Sequence, residues 1–337
     1  MAVKKKEPTL ADVARRASVS AKTVSRVVNN TDYVSPETRL RILDAVTELS
    51  YLPNRLARSL ASNRSAIIGV TIPDITNPFF PEVIRGIEQV ALAHQYNAII
   101  HNTDLIADRG RQALSLLEEM RVDGVIVCSM QLSDDALREF LVRQRHAVLI
   151  NRTLTHDRFG IVRVDFVSAM ERVTRHLLER GRQRIGYLTI RHHDSSYSAQ
   201  KRFQGFTQAL DAYGMAVDPE WVHRTAATVE DSFRETMTML DAHPEMDAII
   251  CFNDLIASGV IEACIRRGVR VPDQVAITGF DDVMFSSLLR VPLTTVHVPK
   301  LDLGIQAAQM LFDMIEGGAS EREVVLEAEL VVRESAP

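Results

Sequence analysis

The first fifty residues alternate between short helical patterns of apolar residues and polar turns. Apolar residues recur three and four apart over Leu10–Ala17 and again over Ala21–Val28, which predicts two short helices. Thr9 can cap the first helix and Ser20 the second, because a hydroxyl just before a helix accepts a free backbone N–H of its first turn. Since only a short polar turn separates the two helices, the pattern predicts a helix-turn-helix.

A third helix is predicted from Ser35-Pro36-Glu37, where a capping residue, a proline and an acid follow one another. Its core-facing stripe is expected to be Leu40, Leu43, Val46 and Leu49. Residues 53–64 then predict a hinge helix and linker, because Pro53 presets a helix start and Leu56 and Leu60 share one side. So short a helix is unstable alone, and we expect it to form only on DNA beside a second copy; the alternative is a plain linker.

The second helix of a helix-turn-helix enters the major groove, and its first residues meet base edges. Here Lys22 and Arg26 can donate to guanine, and Ala21 can contact a thymine methyl. Leu60 is expected to wedge between base pairs in the minor groove. The alternative is a surface helix with incidental cations. The full set of expected DNA contacts is Thr9, Ser20, Ala21, Lys22, Thr23, Ser25, Arg26, Asn29, Tyr51, Asn54, Arg55, Ala57, Arg58 and Leu60.

Beyond residue 65, apolar strand patterns alternate with amphipathic helical segments. The strand candidates are Ile67–Ile72, Ala98–Asn102, Gly124–Cys128, Ala147–Ile150, Ile185–Ile190, Ala248–Phe252 and Val275–Gly279, with a final strand-like Val324–Val332. The alternation predicts an α/β core of two doubly wound parallel sheets, behind an all-α head. We therefore expect a headpiece at 1–52, a hinge at 53–64 and an effector-binding and dimerisation core at 65–337. Within the core, the N-lobe should span about 65–163 plus 293–323, and the C-lobe about 164–292 plus 324–337.

Ligands bind at the carboxyl ends of such strands, so the polar residues that follow the strands predict a binding site. Asn253 and Asp281 suit hydroxyl groups, and the rings of Phe79 and Phe80 offer a flat apolar wall for a sugar. Asp254 is expected either beside the ligand or as a helix cap. The residues expected to contact an effector are Phe79, Phe80, Asn151, Arg152, Arg202, Asn253 and Asp281.

Several cations near predicted strand ends raise the further hypothesis of an anionic effector such as a sugar acid. They are Arg152, Arg163, Arg202, His101, His192 and His193. The alternative is that these side chains form a solvated rim.

Charge is distributed unevenly along the chain. The net charge is −5, yet residues 1–64 carry twelve Lys or Arg and six Asp or Glu, which is +6 and leaves −11 for the rest. A basic head on an acidic body is typical of one module that binds a polyanion and another that avoids it.

The sequence lacks the signals that are typical of several other protein classes. No apolar run is long enough for a membrane helix, no secretory signal is visible, and Cys128, Cys251 and Cys264 show no CxxC spacing, so we expect a cytoplasmic protein without a structural metal or cofactor. An enzyme on a doubly wound fold is the alternative, but GxGxxG, GxxxxGK[ST], HExxH and GxSxG motifs are absent. A periplasmic-type sugar receptor is a further alternative, and the basic head argues against it.

The chain closely resembles the lactose/galactose repressor family of bacterial regulators. The resemblance is carried by TLADVARRASVSAKTVSRVVNN and VSPETRLRILDAVTELSYLPNRLARSLAS in the head, and by IIGVTIPDITNPFF, RVDGVIV, ERGRQRIGYL, GFTQAL, FNDLIASG, GFDD and PLTTVH in the body. The resemblance implies a dimeric repressor that binds double-stranded DNA at a near-palindromic operator, often with a central CG step. It also implies that the effector is a sugar or sugar derivative.

The same resemblance implies roles for individual residues. Ala21 and Lys22 match the positions that discriminate operators, and Arg26 matches a further base contact. Leu60 matches the intercalating leucine of the hinge helix. Positions that contact the effector in the family are matched by Arg202, Asn253 and Asp281. Two departures set this pocket apart: Val298 stands where several relatives have glutamine, and residues 225–227 offer no aromatic ring.

Overall fold

A computed structural model of the chain describes residues 8–29, 33–52, 64–128, 131–154, 159–318 and 322–337, with only the backbone of Asn29. The chain divides into two compact units, Met1–Ser65 and Ala66–Pro337. Most of the predicted hinge lies outside the described residues, and with it the expected contacts Asn54, Arg55, Ala57, Arg58 and Leu60.

The first unit contains the predicted helix-turn-helix and third helix. Its helices are α1 (Leu10–Ala17), α2 (Ala21–Asn29) and α3 (Pro36–Glu48). Thr9 caps α1 through a reciprocal pair of bonds with Asp12, and the Ser20 hydroxyl accepts the Thr23 N–H at 3.1 Å. These bonds confirm the two predicted caps, because each satisfies a backbone donor that has no partner within the helix.

The predicted core stripe of α3 is wrong in its first half. Leu40 and Leu43 are 62% and 45% exposed, while Ile42 and Ala45 are buried and Val46 and Leu49 pack beside them. Steps of three residues turn a helix by about 300°, so a line drawn from Leu40 to Leu49 drifts half way round it. The face that packs is instead spaced i, i+3, i+4, i+7 from Ile42.

The second unit alternates strands and helices as predicted. Its strands are β1 (Ile67–Ile72), β2 (Asn97–Asn102), β3 (Gly124–Cys128), β4 (Ala147–Ile150), β5 (Gly160–Val164), β6 (Ile185–Ile190), β7 (Val222–Thr225), β8 (Ala248–Cys251), β9 (Ala276–Thr278), β10 (Thr295–His297), β11 (Glu323–Leu326) and β12 (Glu329–Val331). Its helices are α4 (Phe79–Ala93), α5 (Ala107–Glu119), α6 (Asp134–Leu141), α7 (Phe166–Glu179), α8 (Tyr197–Ala212), α9 (Val229–Ala242), α10 (Asp254–Arg267) and α11 (Lys300–Glu316). Short 3-10 turns lie at His193–Ser195 and Pro219–Trp221.

Two parallel sheets define the two lobes. The N-lobe sheet has the order β11-β5-β4-β3-β1-β2, and the C-lobe sheet has the order β7-β6-β8-β9. Alternate residues of each strand enter different apolar clusters, with α4 and α11 on one face of the N-lobe sheet and α5 and α6 on the other. Because strand side chains alternate between faces, both sheets bury both sides, as doubly wound sheets require.

The strands differ from the sequence-based expectation in four places. The sequence pattern did not mark β5, β7 or β10; β5 includes Arg163, and β7 includes the polar run His223–Thr225. The predicted single strand Val324–Val332 is two strands: β11 pairs with β5 in the N-lobe, whereas β12 pairs antiparallel with β10. Isolated bridges join Thr278 of β9 to Thr294, and Asp281 in the turn after β9 to His297 of β10.

Gly304 lies where α11 crosses α4 so closely that an added β-carbon would sit 2.0 Å from the Val83 carbonyl oxygen. We expect Gly304→Ala to lower the free energy of unfolding by about 1–3 kcal/mol, because the backbones must separate. Thermal melting of the full chain measures it. Gly318→Ala just beyond the same helix is the matched control, since its added β-carbon meets nothing closer than 3.3 Å. Equal losses in both variants would contradict this account of the helix crossing.

Candidate effector pocket and DNA-binding surface

The start of α2 presents the predicted base-reading residues to solvent. Ala21 and Lys22 are exposed, and Arg26 is half-buried on the same helix. Val24 and Val27 on the opposite side of α2 are buried in the head core, so the core fixes which face of the helix points outward. Ser20, just before α2, and Thr23 in its first turn lie at this end, where free N–H groups also favour an anion.

Tyr51 does not belong with these exposed residues. Its side chain is 7% exposed and packs in the cluster formed by α1, α2 and α3. The ring helps to close the core, because so small a three-helix unit needs a large side chain there, and the DNA contact expected at this position stays a prediction.

A pocket lies between the two lobes of the second unit, at the carboxyl ends of the strands. It encloses about 610 Å³, including its solvent-open mouth. Both lobes contribute to it. Its lining residues are Pro73, Asp74, Asn77, Phe79, Phe80, Leu105, Gln131, Asn151, Phe166, Ile190, Ser196, Ser198, Arg202, Ala227, Phe252, Asn253 and Asp281. The structure therefore brings together six of the seven expected effector residues.

Arg202 and Asp281 form an ion pair at the C-lobe side of the pocket. The Arg202 Nη2 atom lies 3.2 Å from the Asp281 Oδ1 atom, and each side chain is only 5% exposed. The other terminal nitrogen of Arg202 donates to the Phe252 carbonyl. Because burial disfavours both charges, it lowers the pKa of Arg202 and raises that of Asp281, with the partner charge opposing each shift.

Aromatic rings surround the Arg202 guanidinium. Its central carbon lies 3.8 Å from the ring centre of Phe280, 4.4 Å from that of Phe252 and 4.9 Å from that of Phe166. The ring faces attract a cation and exclude water from it. The guanidinium is thus fixed in place before any ligand arrives.

Two asparagines in the pocket are oriented by bonds to backbone N–H groups. Asn253 is the cap of α10, where its Oδ1 atom accepts the Ile256 N–H at 3.0 Å. Asn151 has a positive φ of 55°, and its Oδ1 atom accepts the Val164 N–H at 3.1 Å. With the oxygens engaged, the amide nitrogens are the groups that each side chain has to offer a ligand.

Asp254 neither caps α10 nor lines the pocket. It is fully buried, and its carboxylate accepts bonds from the Val283 N–H and from the hydroxyls of Ser286 and Thr295. Burial, together with the nearby Asp281 charge, raises its pKa to about 7, although these hydrogen bonds act to lower it. Through these hydrogen bonds Asp254 stabilises the turn that carries Asp281.

The opposite wall of the pocket comes from the start of α4. Phe79 and Phe80 pack edge to face with ring centres 5.1 Å apart, and the Asn77 Oδ1 atom accepts the Phe79 N–H. The two rings give the N-lobe wall the apolar surface that was predicted for a sugar face.

Arg152 is the expected effector residue that the structure does not bring to the pocket. Its side chain is buried, and its Nη2 atom lies 2.6 Å from both the Leu132 carbonyl oxygen and the Asp134 carboxylate. Two of the other proposed anion-binding cations are engaged elsewhere: Arg163 pairs with Glu323, and His193 bonds Thr189, with burial lowering the pKa of His193. Of the residues seen to line the pocket, only Arg202 is cationic, whereas Asp74 and Asp281 are acidic.

Sequence reasoning missed several lining residues. They are Leu105, Gln131, Phe166, Ser196, Ser198, Ala227 and Phe252. Ser196 caps α8 directly after the turn that follows β6, so its capping position was a usable signal. Phe166 opens the helix after β5, and it was missed because β5 itself was not predicted.

Within the described ranges, no helix is long and apolar enough to cross a membrane. The same residues contain no group of three His, Cys, Asp or Glu placed to hold a metal ion.

The helix-turn-helix head and the two-lobed core with its ligand pocket together define a DNA-binding regulator controlled by a small ligand. Residues 9–54 match the family model described as bacterial regulatory proteins of the lacI family, and residues 65–333 match periplasmic binding proteins and the sugar binding domain of the LacI family. The chain belongs to the LacI family of bacterial transcriptional regulators.

Named relatives match the chain over nearly their whole length. The HTH-type transcriptional regulator RegA of Clostridium saccharobutylicum is 34% identical, with 97% of this chain and 98% of that protein covered. The ribose operon repressor of Halalkalibacterium halodurans is also 34% identical, over 97% and 96%. Among solved structures, the lac repressor dimer bound to operator and anti-inducer is 27% identical with a TM-score of 0.86, over 98% and 99%.

Asp254 makes stability depend on pH with a defined sign. Its carboxyl keeps a proton in the folded state up to pH about 7, whereas an unfolded aspartate loses it near pH 4. Between these values the folded state binds more protons, so the free energy of unfolding falls as pH rises. We expect urea unfolding, followed by the fluorescence of the single tryptophan Trp221, to show this fall between pH 4 and 7. In Asp254→Asn the fall should shrink by more than about 1 kcal/mol; an unchanged pH dependence would refute the assignment.

Proposed function

We propose that the protein is a repressor that binds a near-palindromic operator as a homodimer, and that a neutral sugar or sugar derivative in the interlobe pocket sets its DNA affinity. The observation that carries the choice of ligand is the Arg202–Asp281 pair, because it leaves the pocket's single described cation already compensated. A sugar acid was the alternative from sequence. Its carboxylate would have to displace Asp281 and would also approach the acidic Asp74.

A neutral polyol matches the other groups of the pocket. Hydroxyls can donate to the Asp281 carboxylate and accept from the amides of Asn151 and Asn253. The faces of Phe79 and Phe80 suit the C–H surface of a sugar ring. Two solved relatives point the same way by their descriptions, one as a cellobiose complex and one with bound ribose.

The DNA contacts are proposed from the exposed start of α2 and from the hinge sequence. Ala21, Lys22 and Arg26 would face base edges, and Leu60 would wedge the minor groove at the centre of the operator. The +6 charge of residues 1–64 favours phosphate contact, whereas the −11 of the remainder disfavours it. A dimer seated on a promoter blocks polymerase, which makes repression the expected outcome.

Regulation follows from linkage between the two binding events. A ligand that prefers one arrangement of the lobes shifts the dimer toward it and changes operator affinity by about 5–150-fold, or 1–3 kcal/mol. We further propose that the protein acts in the cytoplasm and catalyses no reaction, since the named relatives are regulators. A turnover assay on the binding ligand tests the last point.

The ligand proposal is tested by calorimetry with neutral sugars and their corresponding sugar acids. We expect neutral sugars to bind and Asp281→Asn to weaken binding by about tenfold or more, because a charged acceptor is lost. Arg152→Met is the control: it removes a buried guanidinium that does not reach the pocket, so affinity should stay within about twofold even though stability falls. Tighter binding of sugar acids than of neutral sugars would overturn the proposal.

The DNA proposal is tested by measuring affinity over a library of operator variants. We expect Lys22→Ala to change the order of preference among bases, because a base-edge contact discriminates and a phosphate contact does not. A uniform loss across all sequences would show that Lys22 contacts phosphate instead.

The wedge role of Leu60 has a separate readout in DNA bending. Leu60→Ala should weaken specific binding and reduce the bend measured by gel mobility, since the inserted side chain opens the base step. Leu40→Ala, the same change at an exposed position of α3, should leave the bend unchanged. An undiminished bend in Leu60→Ala would refute the wedge.

A further inference from the structure

A buried lysine, Lys300, lies behind the ligand pocket. Lys300 is the first residue of α11, and only 3% of its surface is exposed. The Nζ atom lies 2.8 Å from the carbonyl oxygens of Asp281 and Asp282 and 3.3 Å from that of Val298. An ammonium group has three N–H donors, so all three have an acceptor. A cation at the start of a helix is unfavourable because it lies at the positive end of the helix dipole. The three carbonyl contacts offset this cost and that of burial.

The carbonyls that Lys300 holds belong to a strained turn. Asp281 and Asp282 have φ values of 110° and 51°, a region that side-chain-bearing residues rarely adopt. Such strain persists only where surrounding contacts fix it. Lys300 holds the turn through its carbonyls, while Arg333 and His297 hold it through the Asp282 carboxylate. The carboxylate of Asp281 faces the pocket from this turn.

The helix that Lys300 begins belongs to the other lobe. α11 packs against α4, and the two backbones touch at two glycines: an added β-carbon on Gly86 would lie 2.2 Å from the Leu301 carbonyl oxygen, and one on Gly304 would lie 2.0 Å from that of Val83. Interfaces this close transmit a displacement, because they have no room to absorb it. α4 in turn begins with Phe79 and Phe80, the N-lobe wall of the pocket.

We propose that Lys300 is a positioning residue that joins the Asp281 turn of the C-lobe to the α11–α4 pair of the N-lobe, and so couples the positions of the two walls of the pocket. Contacts run from Asp281 through Lys300 and α11 to α4, and return to the pocket at Phe79. Lys300 does not touch the ligand. Its charge acts through the backbone of Asp281, so a neutral side chain of the same length leaves the turn carbonyls without their partner.

The first test needs no ligand and uses amide hydrogen exchange of the full chain. The Asp281 and Val283 N–H groups report on the turn, since they donate to the Val296 carbonyl and to the Asp254 carboxylate. We expect Lys300→Met to speed exchange by about tenfold or more at these amides and also in the first turns of α4. Lys201→Met is the matched control, because Lys201 bonds Gln204, lies over the Tyr197 ring and does not line the pocket.

Faster exchange confined to residues 299–304 would overturn the proposal, because it would show that Lys300 serves only its own helix. If Lys300→Met does not accumulate as folded protein, Lys300→Gln takes its place with the same expectation, since it keeps an N–H donor and loses the charge.

The second test rests on the proposed function and uses the neutral sugar that most stabilises the wild type in a thermal-shift panel. Lys300→Met should weaken its binding by about tenfold or more, and Lys300→Met with Asp281→Asn should be no weaker than Asp281→Asn alone, within about twofold. Losses that multiply would show that Lys300 does not act through Asp281. If no sugar stabilises the wild type, the proposed ligand class fails, and the exchange experiment still decides the role of Lys300.

Discussion

The ion pair between Arg202 and Asp281 is the constraint on which the pocket depends. Removing two charges from water costs several kcal/mol each, and their mutual attraction repays this only when geometry and further hydrogen bonds are good. Here the further partners are the Phe252 carbonyl for the arginine and the Lys300 ammonium beside the aspartate, with the Phe280 ring 3.8 Å from the guanidinium. The pair therefore exists before ligand binds. The charges of the two partners balance, and the pair offers directional acceptors and donors, which suits the neutral polyhydroxylated ligand proposed above better than an anion.

The turn that carries Asp281 also contains backbone strain. Two consecutive aspartates with positive φ cost of the order of 1–3 kcal/mol each, and neither is a glycine that would relieve it. The contacts that fix them come from several elements: Arg202 from α8, Lys300 from α11, His297 from β10 and Arg333 near the end of the chain. A turn fixed from so many directions can hold the Asp281 carboxylate still, and a ligand then loses little free energy to ordering the site.

Much of this was open to prediction from sequence because local rules agree with the fold. Caps at Thr9 and Ser20 set the head helices, and the rule that ligands bind at the carboxyl ends of parallel strands found six of the seven expected pocket residues. The failures have physical causes. Arg152 follows a residue in the left-handed region, and its side chain points away from the pocket. It bonds a carbonyl and a carboxylate that no local sequence pattern predicts as its partners. Phe166 was not predicted because β5, which precedes it, was not predicted. The role of Lys300 was not predicted because its partners lie 2–19 residues away, on a turn whose shape the sequence pattern does not indicate.

Control of DNA binding by the pocket requires that the ligand meet different surroundings in two arrangements of the lobes. The composition of the walls meets this requirement. Of the groups that we propose to bond hydroxyls, Asn253 and Asp281 are on the C-lobe, whereas the apolar wall of Phe79 and Phe80 begins a helix of the N-lobe. A sugar bound to one lobe alone leaves either its C–H face or its hydroxyls without their partner. Only the arrangement that brings both walls to the ligand uses all of its surface, so the difference in contacts between the arrangements is the free energy available for regulation.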